Sequence, residues 1–212
     1  IQLGAIMAVL VLYAKRLLTS KETFLRVLVA FIPTAIIGLI AYPFVKKYLL
    51  ENLAVSAWAL IIGGAILIIF ERFHRQPAAE PSSLIEPLQT ISYPKAIGIG
   101  LFQSLAIIPG TSRAAATIIG GLKLGLDKKT IVEFSFLLAI PTMAAAVGLD
   151  LIKSDFAFSG VEWQLLAVGF AVAFLTAFAA VRFFLKFIER HTFTAFGWYR
   201  IVAGLLILFF LL

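Results

Sequence analysis

The sequence contains no cysteine and little charge of either sign. Of its 212 residues, 14% are Asp, Glu, Lys or Arg, and only 11 residues are acidic. The absence of cysteine excludes disulfides, thiolate metal ligands and thiol catalysis. The two histidines, His74 and His191, lie in basic segments, where a solvated side chain is favoured over a catalytic base. Any chemistry must therefore depend on few ionisable groups.

Apolar residues make up 62% of the chain, and the mean hydropathy is +1.05. This composition is typical of an integral membrane protein and not of a soluble domain. The formal net charge is +7, but the basic residues cluster between apolar runs. We interpret them as determinants of topology and as contacts for anionic lipid headgroups, and we predict no nucleic-acid partner.

Apolar segments predict the membrane crossings. Most of them have the length of one transmembrane helix, and they are Ile1–Ala14, Val27–Val45, Leu53–Phe70, Phe134–Leu149, Trp163–Val181 and Phe196–Leu212. A further apolar stretch, 94–125, is interrupted at its centre by Pro109 and Gly110. Each of its two arms covers only about 16–20 Å at 1.5 Å per residue. Neither arm can cross a bilayer core of about 30 Å alone.

Charge distribution predicts that 94–125 enters and leaves the membrane on one face. In that case the loops 15–26, 71–95, 123–129 and 182–190 share a side and hold thirteen Lys and Arg, whereas the loops 46–52 and 150–162 hold three. Basic residues mark the cytoplasmic side. We therefore expect an all-α polytopic membrane protein with six transmembrane helices and one re-entrant helical hairpin.

This topology predicts one membrane domain, 1–212. It comprises a three-helix block at 1–70, a cytoplasmic loop at 71–95, the re-entrant hairpin at 96–122 and a second three-helix block at 133–212. The two blocks start from opposite faces, which indicates part of an inverted-topology repeat. Because a hairpin precedes the second block and none precedes the first, we expect a partner hairpin upstream of Ile1.

The centre of the hairpin carries polar groups that suit a phosphate. A helix beginning at Thr111 or Ser112 would present unpaired N–H groups and the positive end of its dipole. Arg113 adds a planar guanidinium that binds phosphate through two donors, and Thr117 lies on the same helix face. A charged side chain inside the membrane is usually functional. The alternative is that Arg113 satisfies backbone carbonyls and that Ser112 and Thr117 bond within their own helix.

Other polar residues leave alternatives open. Gln103 either faces the cavity or bonds between helices, and Glu133 is either a structural counter-charge or a second polar contributor to the site. Arg200 follows Trp198 and Tyr199 and fits an aromatic and basic anchor at the membrane interface.

Several of these segments resemble the undecaprenyl-diphosphate phosphatase family, also known as bacitracin-resistance proteins. The similarity covers essentially the whole chain and is carried by Phe102-Gln103, Pro109-Gly110-Thr111-Ser112-Arg113 with Thr117, the segment 133–141, and Trp198-Tyr199-Arg200. The resemblance implies a hydrolase of the bacterial inner membrane that recycles the lipid carrier for peptidoglycan synthesis, with its site open to the periplasm. It implies diphosphate binding by Ser112, Arg113 and Thr117, and also by Gln103 and Glu133. From the residues themselves we add Thr111 to the diphosphate-binding set and expect Arg113 and Ser112 to be catalytic.

Two departures from the family pattern matter. Ala114 replaces the serine that usually follows the arginine, and the family's glutamates and Ser-Ser-Thr-Gly-His stretch have no counterpart here. The resemblance implies a divalent cation, Mg²⁺ or Ca²⁺. Its ligands would lie in the segment that carries those glutamates, and none would lie in this chain. We therefore expect the 212 residues alone to be inactive.

Two further expectations concern function and assembly. A polyprenyl-phosphate transporter or flippase is the alternative, because inverted repeats with broken helices also serve alternating access. The expected partners are a polyprenyl diphosphate lipid and the membrane, and a homodimer is possible.

Overall fold

The structure is a computed structural model that describes residues 1–50, 52–73, 88–153 and 159–211, without the side chains of 15–19 and 189–190. His74 and the prolines of the predicted loop between 76 and 87 lie outside these residues. The described residues form helices α1 Gln2–Thr19, α2 Lys21–Tyr48, α3 Leu53–Phe73, α4 Tyr93–Gln103, α5 Arg113–Lys123, α6 Lys128–Lys153, α7 Gly160–Arg190 and α8 Thr194–Leu211. Short 3₁₀ turns lie at Leu88–Thr90 and Ser104–Ile107.

The all-α polytopic class is confirmed. Among the described residues, five helices, α2, α3, α6, α7 and α8, are long and apolar enough to cross a membrane, whereas the apolar part of α1, Gln2–Ala14, is shorter than a span. The long helices extend beyond the apolar segments that predicted them. Charged residues that flank the apolar segments are part of the helix ends, and the described connections between the helices are short.

Side-chain caps determine where several helices begin. Ser20 accepts a hydrogen bond from the Thr23 amide at the start of α2, and Asp127 accepts from two amides at the start of α6. Ser159 and Glu162 form a reciprocal capping box at the start of α7. Each cap satisfies amides that have no partner inside the helix.

Helices α4 and α5 pack against each other as an antiparallel hairpin. Gly98 faces Leu124 and Phe102 faces Gly120, so four residues forward along α4 correspond to four residues back along α5. Each arm has 11 residues and is about 16 Å long. The hairpin reaches the middle of α2, where the Thr34 hydroxyl donates to the Gly100 carbonyl over 2.9 Å.

The hairpin lies at the centre of the molecule. Together with α6 it supplies most of the fully buried side chains, including Ile99, Thr117, Phe134, Leu137 and Leu138. The outer helices α7 and α8 expose most of their apolar residues, as helices facing lipid do. The polar interruption of the hairpin, from Pro109 to Ser112, is partly exposed.

Loops predicted to share a face contact one another. Arg26 donates to the carbonyl of Ile91, and Lys128 donates to the carbonyl of His191 over 2.7 Å. These contacts join the loop 15–26 to the loop 71–95, and the start of α6 to the connection between α7 and α8.

Candidate functional site

The tip of the hairpin is a tight turn that requires glycine. Gly110 has φ +86°, and the Thr111 amide donates to the Ile108 carbonyl over 3.0 Å. A Cβ at position 110 would lie 2.3 Å from the carbonyl oxygen of Ser56 on α3. Only glycine combines this backbone conformation with so close an approach.

Helix α5 begins where the sequence predicts. Ser112 is the N-cap, and its Oγ accepts from the Ala115 amide over 3.2 Å. An oxygen that accepts in this way keeps its own proton for donation to another group. The first amides of α5 also point toward the tip, where an anion is stabilised.

Arg113 turns toward α6. Its Nη1 donates to the carbonyl oxygen of Ser135 over 3.2 Å, and its side chain is only partly exposed. The hydroxyls of Thr117 and Ser135 lie 2.6 Å apart, and Thr117 Oγ1 also contacts the carbonyls of Arg113 and Ala114. Thr117 is fully buried, so in this arrangement its hydroxyl joins α5 to α6 and does not reach an open surface.

Gln103 bonds between helices, which was one of its two predicted alternatives. Its Nε2 donates to Thr34 Oγ1 over 3.1 Å and to Thr142 Oγ1 over 2.9 Å. Glu133 is buried near the start of α6. Neither residue lies with Ser112 on an open surface, and the diphosphate-binding role of both stays a prediction.

Arg200 makes contacts that the sequence did not predict. It is partly buried, and its Nη2 donates to the carbonyl of Gly110 over 2.9 Å and approaches that of Ala59 at 3.4 Å. Its position at the membrane interface stays a prediction. Its Nε is buried and has no hydrogen-bond partner among the described residues. A guanidinium from the last helix therefore lies at the hairpin tip.

A simple signal in the sequence could have identified Arg200. Sixteen of the 18 Lys and Arg lie in the segments that the charge pattern assigns to loops. The two that remain are Arg113 and Arg200, and both bond to the carbonyls around the tip. Trp198 and Tyr199, which resemble an interfacial aromatic belt, favoured the interpretation of Arg200 as an interfacial anchor.

An open groove of about 420 Å³ reaches the tip from the side of α3 and α8. Thr111, Ser112 and Arg200 line its polar end. Arg113 directs its guanidinium to the Ser135 carbonyl on α6, and the residues that line the groove do not include it. The groove thus brings together two hydroxyls, a helix start and the guanidinium of Arg200, which is a set of groups suited to an anionic ligand.

The described residues do not fit a metal site. No group of three or more His, Cys, Asp or Glu among them could hold a metal ion.

Comparison with known proteins gives one consistent result. The family model described as bacitracin resistance protein BacA matches residues 1–206. A protein of Aquifex aeolicus is 46% identical over 205 residues, which are 97% of this chain and 78% of that protein. A Sulfurihydrogenibium protein is 47% identical over 97% of this chain and 79% of its own length, and one of Thermus thermophilus is 45% identical over 100% and 79%. All three are named undecaprenyl-diphosphatase.

Proposed function

The chain belongs to the bacitracin resistance protein BacA family, and we propose that its site hydrolyses undecaprenyl diphosphate to undecaprenyl phosphate and inorganic phosphate. The observation that carries this proposal is the family match over 1–206, which includes the whole polar tip. The relatives named undecaprenyl-diphosphatase support the same substrate. Removal of the terminal phosphate recycles the lipid carrier of peptidoglycan synthesis.

In the proposed binding mode the diphosphate lies against the start of α5. The Ser112 hydroxyl and the free amides of the helix start donate to phosphate oxygens. Arg200 supplies charge beside the turn, and Arg113 supplies charge from the first residue of α5. Thr117 and Gln103 act as positioning residues, because their polar groups already bond to α6 and α2.

The reaction breaks the bond between the terminal phosphorus and the bridging oxygen. An incoming oxygen nucleophile attacks the terminal phosphorus in line, and the bridging oxygen leaves with the undecaprenyl phosphate. Positioned guanidiniums stabilise the charge that develops on the bridging and terminal oxygens, which is the main contribution a protein makes to this transfer. We assign this role to Arg113 and Arg200 and assign no nucleophile among the described residues.

We propose that the ligands of the metal and the nucleophile both belong to a part of the family pattern that these 212 residues do not contain. The family's glutamates and Ser-Ser-Thr-Gly-His stretch have no match within the 212 residues, and the described residues do not fit a metal site. We therefore propose that the 212 residues alone bind the lipid weakly and do not hydrolyse it, and we derive no step through a cation. A divalent cation in the full-length protein would neutralise diphosphate charge.

Phosphate release tests the function directly. Full-length protein purified in detergent is mixed with undecaprenyl diphosphate, and inorganic phosphate is measured. We expect steady release by the full-length protein and none by the 212-residue chain. Lack of release by well-folded full-length protein, with or without Mg²⁺ or Ca²⁺, would overturn the assignment, and lipid exchange between leaflets would then identify a carrier.

The orientation in the membrane is proposed from the charge pattern. We place the connection α2–α3 in the periplasm of a bacterial inner membrane and the connection α5–α6 in the cytoplasm. The chain has no cysteine, so a single introduced cysteine is an unambiguous reporter. An impermeant maleimide added to whole cells should label Lys47→Cys and leave Lys129→Cys unlabelled; the reverse pattern would invert the topology. Cross-linking through either cysteine also tests the expected homodimer.

A further inference from the structure

Helices α3 and α8 pack with their backbones in close contact. A Cβ at Gly64 of α3 would lie 2.6 Å from the carbonyl oxygen of Gly197 of α8. About two turns away on each helix, a Cβ at Gly204 would lie 2.7 Å from the carbonyl oxygen of Ala57. Arg200 lies between these two points on α8, so its side chain starts directly beside the surface of α3.

The guanidinium of Arg200 lies against α3 at a position that has no side chain. Its Nη2 approaches the carbonyl oxygen of Ala59 at 3.4 Å, and Gly63 is the residue one turn further along the same face. A Cβ at position 63 would lie 2.8 Å from Nη2, 3.6 Å from Cζ and 3.7 Å from Nε. The guanidinium therefore occupies the space that a side chain at position 63 would need.

From this place on α3 the guanidinium reaches the hairpin tip. Its Nη2 donates to the Gly110 carbonyl over 2.9 Å, and Arg200 lines the groove together with Thr111, Ser112 and Gly63. The turn itself also packs against α3, because a Cβ at Gly110 would lie 2.3 Å from the Ser56 carbonyl oxygen. One helix surface thus contacts both the turn and the guanidinium, and it determines how they lie relative to each other.

We propose that Gly63 is a positioning residue for the hydrolysis, because its lack of a side chain lets the Arg200 guanidinium lie beside the polar turn. The inference rests on the proposed function and adds to it a residue on α3 that acts through Arg200. The surrounding glycines of α3 and α8 have a different function, since they meet backbone atoms and permit the helices to approach.

The neighbours of Gly63 and Gly64 explain why only Gly63 should act through the guanidinium. A methyl group at Gly64 would meet the backbone of α8, which cannot move without separating the helices. A methyl group at Gly63 would meet the end of a flexible side chain. Since nonbonded heavy atoms are most stable about 3.5 Å apart or more, Nη2 would move by about 0.7 Å. Its hydrogen bond with Gly110 would then lose its present geometry, while the helices stay packed.

Phosphate release by full-length Gly63→Ala protein tests the effect on the reaction. We expect kcat/KM for undecaprenyl diphosphate to fall about tenfold to a hundredfold, since misplacing a catalytic group by about 1 Å has an effect of this size. Gly38→Ala on α2 is the matched control, because nothing lies within 4 Å of the Cβ that it adds. That variant should stay near the wild-type value. Wild-type kcat/KM in the Gly63→Ala protein would overturn the proposal.

A double substitution separates positioning from a general effect on packing. Arg200→Met removes the guanidinium, so Gly63→Ala then has no catalytic group left to displace. We expect the double variant to release phosphate as slowly as Arg200→Met alone, to within about twofold. If Gly63 mattered only for helix packing, the two losses would multiply, and that result would also overturn the proposal.

Thermal unfolding of the same variants in detergent needs no activity. We expect Arg200→Met to lower Tm by about 2–4 °C, the effect of one lost hydrogen bond, and by less than about 1 °C in the Gly63→Ala background. Equal shifts in both backgrounds, or failure of Gly63→Ala to fold, would refute the placement and leave the hydrolase intact. Unequal shifts without phosphate release by wild-type protein would refute the hydrolase and support the placement of the guanidinium by Gly63.

Discussion

Arg200 Nη2 lies 2.9 Å from the carbonyl oxygen of Gly110 and donates a hydrogen bond to it. The contact joins α8, the last helix, to a turn 90 residues earlier in the chain. Because Gly110 directly precedes Thr111 and Ser112, this guanidinium both holds the turn and adds charge beside the proposed phosphate position. We therefore expect activity to fall when Arg200 is replaced by a residue that keeps only the charge or only the contact with the turn.

Arg200→Lys is the first prediction. Lysine keeps the charge but loses the planar fork, so it cannot bond to the tip and to a phosphate together. We expect kcat/KM for undecaprenyl diphosphate to fall about a hundredfold or more, the usual effect of removing one charge-stabilising donor. Phosphate release by the full-length protein measures this. Lys186→Ala on the exposed surface of α7 is the control and should change it less than twofold; near-normal release by Arg200→Lys would remove Arg200 from the site.

Arg113→Lys is the second prediction. Arg113 is held by the Ser135 carbonyl over 3.2 Å, so its remaining donors have a fixed direction that an ammonium does not reproduce. We expect a loss in kcat/KM of about a hundredfold. Ser135→Ala is the matched control, since it keeps the carbonyl and removes only the hydroxyl beside Thr117. Its activity should stay within a few fold, and an equal loss in both variants would indicate that the α5–α6 contact matters and the guanidinium does not.

Gly110→Ala is the third prediction. At φ +86° an L-residue is strained, and the new methyl group would meet the Ser56 carbonyl at 2.3 Å. We expect a loss of stability of about 2 kcal/mol or more, together with loss of activity as the tip shifts. Gly125→Ala is the control, because it has φ +77° but open space around it. That variant should lose only about 1–2 kcal/mol and keep its activity. Thermal unfolding in detergent measures both, and equal losses would contradict the close approach to α3.

Sequence patterns predicted the helical hairpin of α4 and α5 because arm length and charge distribution independently favour it. The arms are too short to cross, and the basic residues at both ends favour one face. Pro109, Gly110 and Ser112 then determine where the turn lies and where the second arm begins, because their backbone preferences are local. Local chemistry of this kind can be read from neighbouring residues without knowledge of the fold.

Partners distant in sequence could not be predicted in the same way. Arg200 is 90 residues from Gly110, and Thr117 is 18 residues from Ser135. Whether a hydroxyl or guanidinium faces a ligand or a neighbouring helix depends on how the helices pack, which periodicity does not determine. For this reason Gln103 remained open between two functions until its contacts with α2 and α6 were known.

Gly100→Ala is the fourth prediction, and it tests the packing of the hairpin against α2. A Cβ at position 100 would lie 2.0 Å from the carbonyl oxygen of Ala30, which is backbone and cannot move aside. We expect a loss of about 1–3 kcal/mol or failure to fold. Gly98→Ala on the same helix is the control, because its Cβ would meet only the end of the flexible Leu124 side chain. Similar thermal stability of the two variants would contradict the close contact between α2 and α4.

The last prediction concerns the direction of the Gln103 amide. The Thr34 hydroxyl donates to the Gly100 carbonyl over 2.9 Å, and the Thr142 hydroxyl donates to the Leu138 carbonyl over 2.7 Å. Both hydroxyl protons are therefore committed, and each hydroxyl oxygen can only accept. The amide nitrogen of Gln103 supplies the two donors that they need. A side chain of the same size that lacks donors should disrupt this junction.

Gln103→Glu is the substitution that tests this arrangement, since an ionised carboxylate would face two acceptors and no donor. We expect a loss of stability of about 3 kcal/mol or more at neutral pH, the cost of an uncompensated buried charge. Gln103→Met keeps the volume without charge and should lose about 1–2 kcal/mol for the missing hydrogen bonds. Thermal unfolding in detergent ranks the two variants. If Gln103→Glu were as stable as the wild-type protein, the hydroxyls of Thr34 and Thr142 would have to donate toward position 103, and the junction between α2, α4 and α6 would have the opposite hydrogen-bond direction.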